Sequence, residues 1–269
     1  MGYAKTSLAY IKKNFYLYAM LAVIPSILLG VYSRPFNTAL FWLDYDDVKI
    51  NNFGNMLKLV LKPDIYIRGY PFIVTSFAIV LASSMWFNTM EQHLKVGRLS
   101  LSRPLIGVNY TILPVLITLV VLSVILVLLK IIVASIAFVI HEWLGGMDSP
   151  VFATFLIAVV AIVLVLLFIG LFLSLVIWIP GLIMSGYSFR DMLVYCLRLI
   201  QNKFFQIYSC IILPLIVTLI VLVLLSLMHL PLSLTIFFNS IIYMFWFMYL
   251  HSYSMLVYFD LTNVERHDE

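Results

Sequence analysis

Ionisable side chains are scarce in this sequence, and those with the chemistry for catalysis or metal binding are poorly spaced for either task. Glu91 and His93 are two positions apart, so on a helix they lie on different faces. His141 and Glu142 are adjacent and equally unsuited to share a substrate or a metal. The carboxylates at positions 44, 46 and 47 lack the alternating ligands, the glycine and the distal glutamate of a calcium loop. We interpret them as a solvated acidic turn and predict no metal site.

Linear catalytic motifs are missing as well. The sequence contains no HExxH, no GxSxG and no Walker A pattern. Cys196 and Cys210 form no CxxC and are expected to pack as small apolar residues. We therefore expect neither an enzyme nor a bound cofactor, and any ATP-driven role would need a separate subunit. An intramembrane enzyme ranks third among the functions considered.

One apolar segment near the C-terminus carries several polar groups. Ionisable residues inside a membrane are functional candidates because burying them is costly. Asn239, Tyr243, His251 and Tyr253 share this segment and form a candidate intramembrane polar path. Interhelical hydrogen bonding together with an aromatic belt is the alternative explanation. Lys130, between two apolar runs, is either buried or extends to an interface.

The composition shows which elements must position these residues. Of 269 residues, 64% are apolar and 10% are charged, and the mean hydropathy is +1.11. Soluble domains carry about 25% charged residues. The apolar runs are long enough to cross about 30 Å of hydrocarbon as helices and lack the alternation of a β-barrel strand. The sequence predicts an all-α, polytopic membrane bundle, and the scattered net charge of +4 does not indicate nucleic-acid binding.

Six transmembrane helices are predicted, and amphipathic elbow helices precede the first and the fifth. The elbows cover about 3–14 and 188–203, and Ser188 with Asp191 forms a capping box for the second. A further amphipathic helix is predicted at about 51–62. The third span either continues past Lys130 as a long tilted helix or bends there. The predicted spans are 15–32, 70–88, 106–129, 151–179, 204–228 and 233–258.

The sequence pattern of the first elbow and span recurs 189 positions later. This shift aligns Ile11 with Ile200, Phe15 with Phe204 and Pro25 with Pro214. Internal repeats are common in transporters, although they are not confined to them. We predict a single membrane domain, 1–269, whose outer parts, about 1–105 and 180–269, are related.

The distribution of basic residues predicts the orientation. The N-terminus, 91–103, 190–203 and the C-terminus hold ten Lys and Arg residues, and the opposite loops hold six. Basic residues collect on the cytoplasmic side, so both termini are expected in the cytoplasm of a cell-membrane protein. This side then presents a candidate docking surface, which comprises Glu91, Lys95, Arg98, Arg103, Arg190 and Arg198.

Two families share parts of this pattern. The amphipathic segments that end in KNF (13–15) and NKFF (202–205) resemble small bacterial multi-pass proteins of unknown function, including membrane regions attached to some glycerophosphodiester phosphodiesterases. The six spans with a cytoplasmic segment after the second also resemble ABC-2-type permeases. There Glu91, Gly97 and Pro104 correspond to the acidic residue, glycine and proline of that segment, while MEQHLKVGRLS replaces the ER-x-x-GT core.

Two functions follow as hypotheses. The first is a transport-associated, permease-like subunit without a catalytic or nucleotide-binding site of its own. Its partners would be the lipid bilayer and a cytoplasmic ATPase, another membrane subunit or a second copy of the chain. The second is a non-transporting interaction or assembly protein of the bacterial envelope.

Overall fold

A computed structural model describes residues 2–32, 70–97, 107–144, 177–185, 188–201, 203–228 and 231–264, together with the single residues 159, 163 and 266. The acidic turn at 44–47, the amphipathic helix at 51–62, Arg98, Arg103 and most of the fourth predicted span lie outside these residues. Within them all regular structure is helical, as predicted. The helices are α1 (Gly2–Lys13), α2 (Phe15–Tyr32), α3 (Tyr70–Val96), α4 (Val108–Leu144), α5 (177–185), α6 (Phe189–Gln201), α7 (Phe204–Leu227) and α8 (Leu232–Thr262).

Four segments of these helices are long and apolar enough to cross a membrane, which agrees with a membrane-protein class. They are Phe15–Tyr32, Ile73–Val96, Val108–Ile125 and Leu232–Thr262. A fifth arises if α6 and the first part of α7, which meet at a bend of 91°, form one broken span. The predicted number of six therefore stays a prediction.

Helix α3 continues beyond the predicted end of the second span at Asn88 to Val96. The polar stretch 88–104 therefore begins as helix rather than as a loop. The reason is that Met90 and Leu94 continue the apolar face of α3 and are fully buried. Gly97, with φ of 71°, ends the helix by donating its N–H to the carbonyl of His93.

Helix α4 runs through position 130 without interruption, so the long-helix alternative is the one observed. At 37 residues it is roughly 55 Å long, well beyond the hydrocarbon thickness. Pro114 lies within it.

Helices α2 and α8 approach each other through small side chains. Ala22, Ser26 and Gly30 follow at intervals of four and are all buried. A Cβ atom on Gly30 would overlap Ser240 Oγ and lie 3.0 Å from the Ile236 carbonyl oxygen. Small residues at this spacing let membrane helices pack backbone against backbone. The first and last described spans are thereby neighbours.

Helix α1 is held against one end of this bundle at two points. Tyr10 Oη lies 2.7 Å from His93 Nδ1 on α3 and 2.7 Å from Tyr18 Oη on α2. At its start, Tyr3 donates to Asp260 Oδ2 of α8, and Lys203 Nζ lies 3.3 Å from both Tyr3 Oη and Asp260 Oδ2. We call Tyr3, Lys203 and Asp260 the N-terminal latch.

The shift of 189 residues also relates turns and buried positions. Asn14 is the turn between α1 and α2, and Lys203 is the corresponding turn before α7. The residues buried at equivalent positions are Ser7 and Cys196, Ile11 and Ile200, Tyr18 and Ile207, and Ala22 and Ile211. These four pairs of equivalent positions are therefore buried in both segments, and the internal repeat itself stays a prediction.

Candidate functional site

The candidate site is a half-open cavity of about 270 Å³ between the helices, near the lower limit for ligand pockets. Its walls come from α2, α3, α4, α8 and residue 179 of α5. Most of the lining side chains are apolar, among them Leu119 and Leu122 of α4. The polar exceptions are few, and two of them, Ser83 and His251, face each other.

His251 is fixed in orientation by two hydrogen bonds and by aromatic contacts. Its Nδ1 lies 2.7 Å from the carbonyl oxygen of Phe247 on the preceding turn of α8. A carbonyl only accepts, so Nδ1 carries the hydrogen and Nε2 of the neutral ring is an acceptor. Ser83 Oγ, 2.8 Å from Nε2, donates to it. The imidazole also stacks on Phe247 at 4.1 Å between ring centroids and contacts Phe87 at 4.9 Å.

The depth of this pair follows from its place in α8. His251 is eleven residues before the helix end at Thr262, or roughly 17 Å along the axis. The pair therefore lies well inside the apolar part of the bundle, away from the latch at Asp260. Burying a polar group is costly unless it is hydrogen-bonded, and both ring nitrogens of His251 have such partners.

The four residues of the predicted polar path do not share one surface. Tyr243 and His251 line the cavity. Asn239 is 2% exposed, its Oδ1 has no hydrogen-bond partner, and it is not part of the cavity wall. Tyr253 donates to the Ile207 carbonyl at 2.8 Å and thus ties α8 to α7. The structure therefore brings together two of the four.

Four residues of the predicted docking surface lie in described parts of the chain, two at the end of α3 and two on α6. Glu91 and Lys95 form an ion pair of 2.6 Å, one turn apart at the end of α3. Arg190 and Arg198 are exposed on α6. One half of the predicted capping box is present: Ser188 Oγ accepts the N–H of Asp191, while its hydroxyl, not its backbone N–H, donates to the Asp191 carboxylate at 2.6 Å. Arg98 and Arg103 lie outside the described residues.

Sequence reasoning did not identify Ser83, the partner of His251. Serine and threonine are common in membrane helices, and SS at 83–84 has no distinguishing neighbour. The Tyr3–Asp260 contact was equally hidden, because it joins residues 257 positions apart. The spacing of Ala22, Ser26 and Gly30 is a signal in the sequence that is typical of close helix packing.

Electrostatics at the latch favour the protonated forms of Tyr3 and Lys203 and the ionised form of Asp260, whose pKa is lowered, despite burial, by its hydrogen bonds with these two residues. Burial, and then the hydrogen bond to Asp260, raise the pKa of Tyr3. Hydrogen bonds to Tyr3 and then to Asp260 raise the pKa of Lys203. No group of three or more potential metal ligands occurs among the described side chains.

No family model matches the sequence, and no curated protein or solved structure shows significant similarity to it.

Proposed function

We propose that the chain is a multi-pass membrane subunit associated with transport, which takes an apolar or amphipathic molecule from the bilayer into the cavity. The observation that carries this proposal is the apolar wall interrupted by the hydrogen-bonded Ser83 and His251. Ligand sites combine apolar walls with a few placed polar groups that fix orientation. Here Ser83 and His251 would hydrogen-bond to the polar part of the molecule, while α3, α4 and α8 would contact its apolar part.

The proposal includes a cytoplasmic partner. The proposed protein crosses the cell membrane six times, and both of its termini lie in the cytoplasm. The contacts of α1 with the ends of α3 and α8 support it, because they gather predicted cytoplasmic segments at one end of the bundle. Glu91, Lys95, Arg98, Arg103, Arg190 and Arg198 would then face an ATPase or another subunit.

Filling the cavity tests the ligand-binding part. Leu119 lines the cavity, whereas Leu116 on the same helix is 46% exposed on another face. We expect protein purified in mild detergent to carry a bound apolar molecule, detected by native mass spectrometry. Leu119→Trp should lose it, and Leu116→Trp should retain it. A wild-type chain that carries nothing, or two variants that bind equally, would contradict the proposal.

Reversing charges tests the docking part. The change combines Glu91→Lys, Arg98→Glu and Arg103→Glu, and we expect it to abolish co-purification of a cytoplasmic ATPase. Lys12→Glu changes an exposed basic residue on α1 and serves as the control. If wild-type protein recovers no ATPase and the reversal leaves all partners unchanged, the docking proposal fails.

A second function is favoured by the exposed arginines on α6. Arg190 and Arg198 are exposed on one face of this amphipathic helix. Its opposite face carries the buried residues Met192, Cys196 and Ile200. Such a helix suits a non-transporting interaction or assembly protein that binds anionic lipid or another envelope protein. In that case Leu119→Trp would leave partner binding intact, and Arg190→Gln with Arg198→Gln would weaken it.

A further inference from the structure

Ser83 uses its hydroxyl differently from most hydroxyl side chains of the described helices. Ser84 donates to the carbonyl of Val80 at 2.7 Å, and Thr118 donates to that of Pro114 at 2.8 Å, each four residues back in its own helix. Ser83 instead donates to His251 Nε2, 168 positions away. Its hydroxyl is therefore not committed to the backbone of α3.

The pair has the arrangement of an activated nucleophile. Nucleophilic serines lie about 2.6–3.2 Å from a general base, which a third group orients. Ser83 Oγ is 2.8 Å from Nε2, and the Phe247 carbonyl holds Nδ1–H at 2.7 Å on the far side of the ring. The aromatic contacts of the ring keep it in this orientation.

We propose that Ser83 is an acyl-accepting nucleophile with His251 as its general base. The donor would be a long-chain fatty acyl ester or thioester, because the wall beside the pair is apolar and suits a hydrocarbon chain. This activity goes beyond the proposed transport role but depends on the same cavity. It would make the expectation of a non-catalytic subunit wrong.

The acylation step balances without a further reactant. Ser83 Oγ bonds to the acyl carbonyl carbon, and its proton moves to His251 Nε2. The bond from that carbon to the ester oxygen or thioester sulfur then breaks, and the leaving alcohol or thiol takes the proton from Nε2. Water or an acceptor alcohol releases the acyl group from Ser83 by the reverse sequence.

The polar groups of the cavity wall also bear on the rate at which Ser83 would be acylated. Thr118 and Ser254 donate their hydroxyls to the carbonyls of Pro114 and His251, so neither is available to the oxyanion. One positioned oxyanion donor contributes about 10²–10³-fold to the rate. We therefore expect slow, stoichiometric acylation rather than rapid turnover.

Labelling of the intact protein with dodecyl fluorophosphonate tests the proposal. The serine oxygen attacks phosphorus and fluoride leaves, so reaction adds one defined mass. We expect a single adduct, which fragment masses assign to Ser83, and slower reaction with the ethyl analogue. The position of the adduct is read on the wild-type chain and does not depend on whether any variant folds.

Three variants separate catalysis from structure. Ser83→Ala should abolish labelling, and His251→Gln should slow it by about 100-fold or more, because the amide cannot accept the proton. Ser84→Ala is the matched control and should label like the wild type. No adduct on the folded wild-type chain, an adduct elsewhere, or normal labelling of His251→Gln would overturn the proposal. A bound molecule lost from Leu119→Trp would in each case still support the transport role.

Discussion

Gly30 determines how closely α2 can approach α8. A Cβ atom there would lie 3.0 Å from both the Ile236 carbonyl oxygen and the Ser240 nitrogen, so backbone as well as side chain would have to move. We predict that Gly30→Ala lowers the free energy of unfolding by about 1–3 kcal/mol, the usual cost of overpacking. The measurement is thermal or denaturant unfolding of the purified protein in detergent.

Gly2→Ala is the control for this prediction, because a Cβ atom on Gly2 would meet nothing within 4 Å. It should unfold like the wild type. Equal stability of Gly30→Ala and the wild type would mean that the two helices are not in close contact at this position.

At this scale the sequence indicated a residue but not its partner. The cost of burying an imidazole was sufficient to select His251. Ser83 could not be selected, because a hydroxyl is compatible with any helix face and its importance depends on a helix that follows 168 residues later. Asn239 and Tyr253 satisfied the same polarity criterion as His251, yet they are not among the residues that line the cavity.

Among the helices, α1 has two attachments with different chemistry. The latch at Tyr3 holds its first turn, and Tyr10 with His93 holds its second half. The pKa values of Tyr3 and Lys203 are both raised above their ordinary values of 10.0 and 10.5. Groups with raised pKa values stabilise the folded state below the ordinary pKa and lose that effect as pH rises through the folded pKa.

We therefore predict that the first turn of α1 frays above about pH 10 and is unaffected by pH between about 6 and 9. A spin label at exposed Lys5 should become more mobile on this transition, as measured by electron paramagnetic resonance. Tyr3→Phe, which removes the phenol, should make the label mobile at neutral pH.

A label at Lys12 is the internal control, since this residue lies beside the second attachment. It should remain immobile while the label at Lys5 is released. Simultaneous release of both labels would show that the helix is lost as a unit and that the latch does not act separately.

The helices themselves were largely predictable where local chemistry marks their ends. The turn residues Asn14 and Lys203 and the capping pair Ser188 and Asp191 are local signals. The end of α3 was not predicted, because Glu91 to Lys95 is polar by composition. Burial of Met90 and Leu94 against neighbouring helices extends it, and those neighbours are distant in the sequence.

For the whole molecule, the grouping of α1, the end of α3 and the end of α8 gives a topological prediction. Val96→Cys and Val264→Cys, both at exposed positions, should react with a membrane-impermeant maleimide only from the cytoplasmic side. Leu232→Cys, at the other end of α8 and 58% exposed, should react only from outside. The native cysteines are buried and should stay silent.

Reaction of the Val96 and Val264 variants from opposite sides would contradict the grouping itself. Reaction of both from outside, with Leu232 reacting from the cytoplasm, would keep the grouping and reverse the orientation.

The membrane class followed from composition, because apolar segments of this length have few alternatives. The order in which the helices pack did not. Every apolar helix is compatible with every other until small residues such as Gly30 and Ser240 select a neighbour.

The contact between α2 and α8 has a consequence for biosynthesis. At about 5–20 residues per second, roughly 12 to 46 s separate synthesis of residue 32 from that of residue 262. During that interval α2 lies in the membrane without the helix that packs against Gly30. In a chain released before α8 is made, the small-residue face of α2 stays uncovered. Cellular quality control would then recognise unfinished chains by this exposed face.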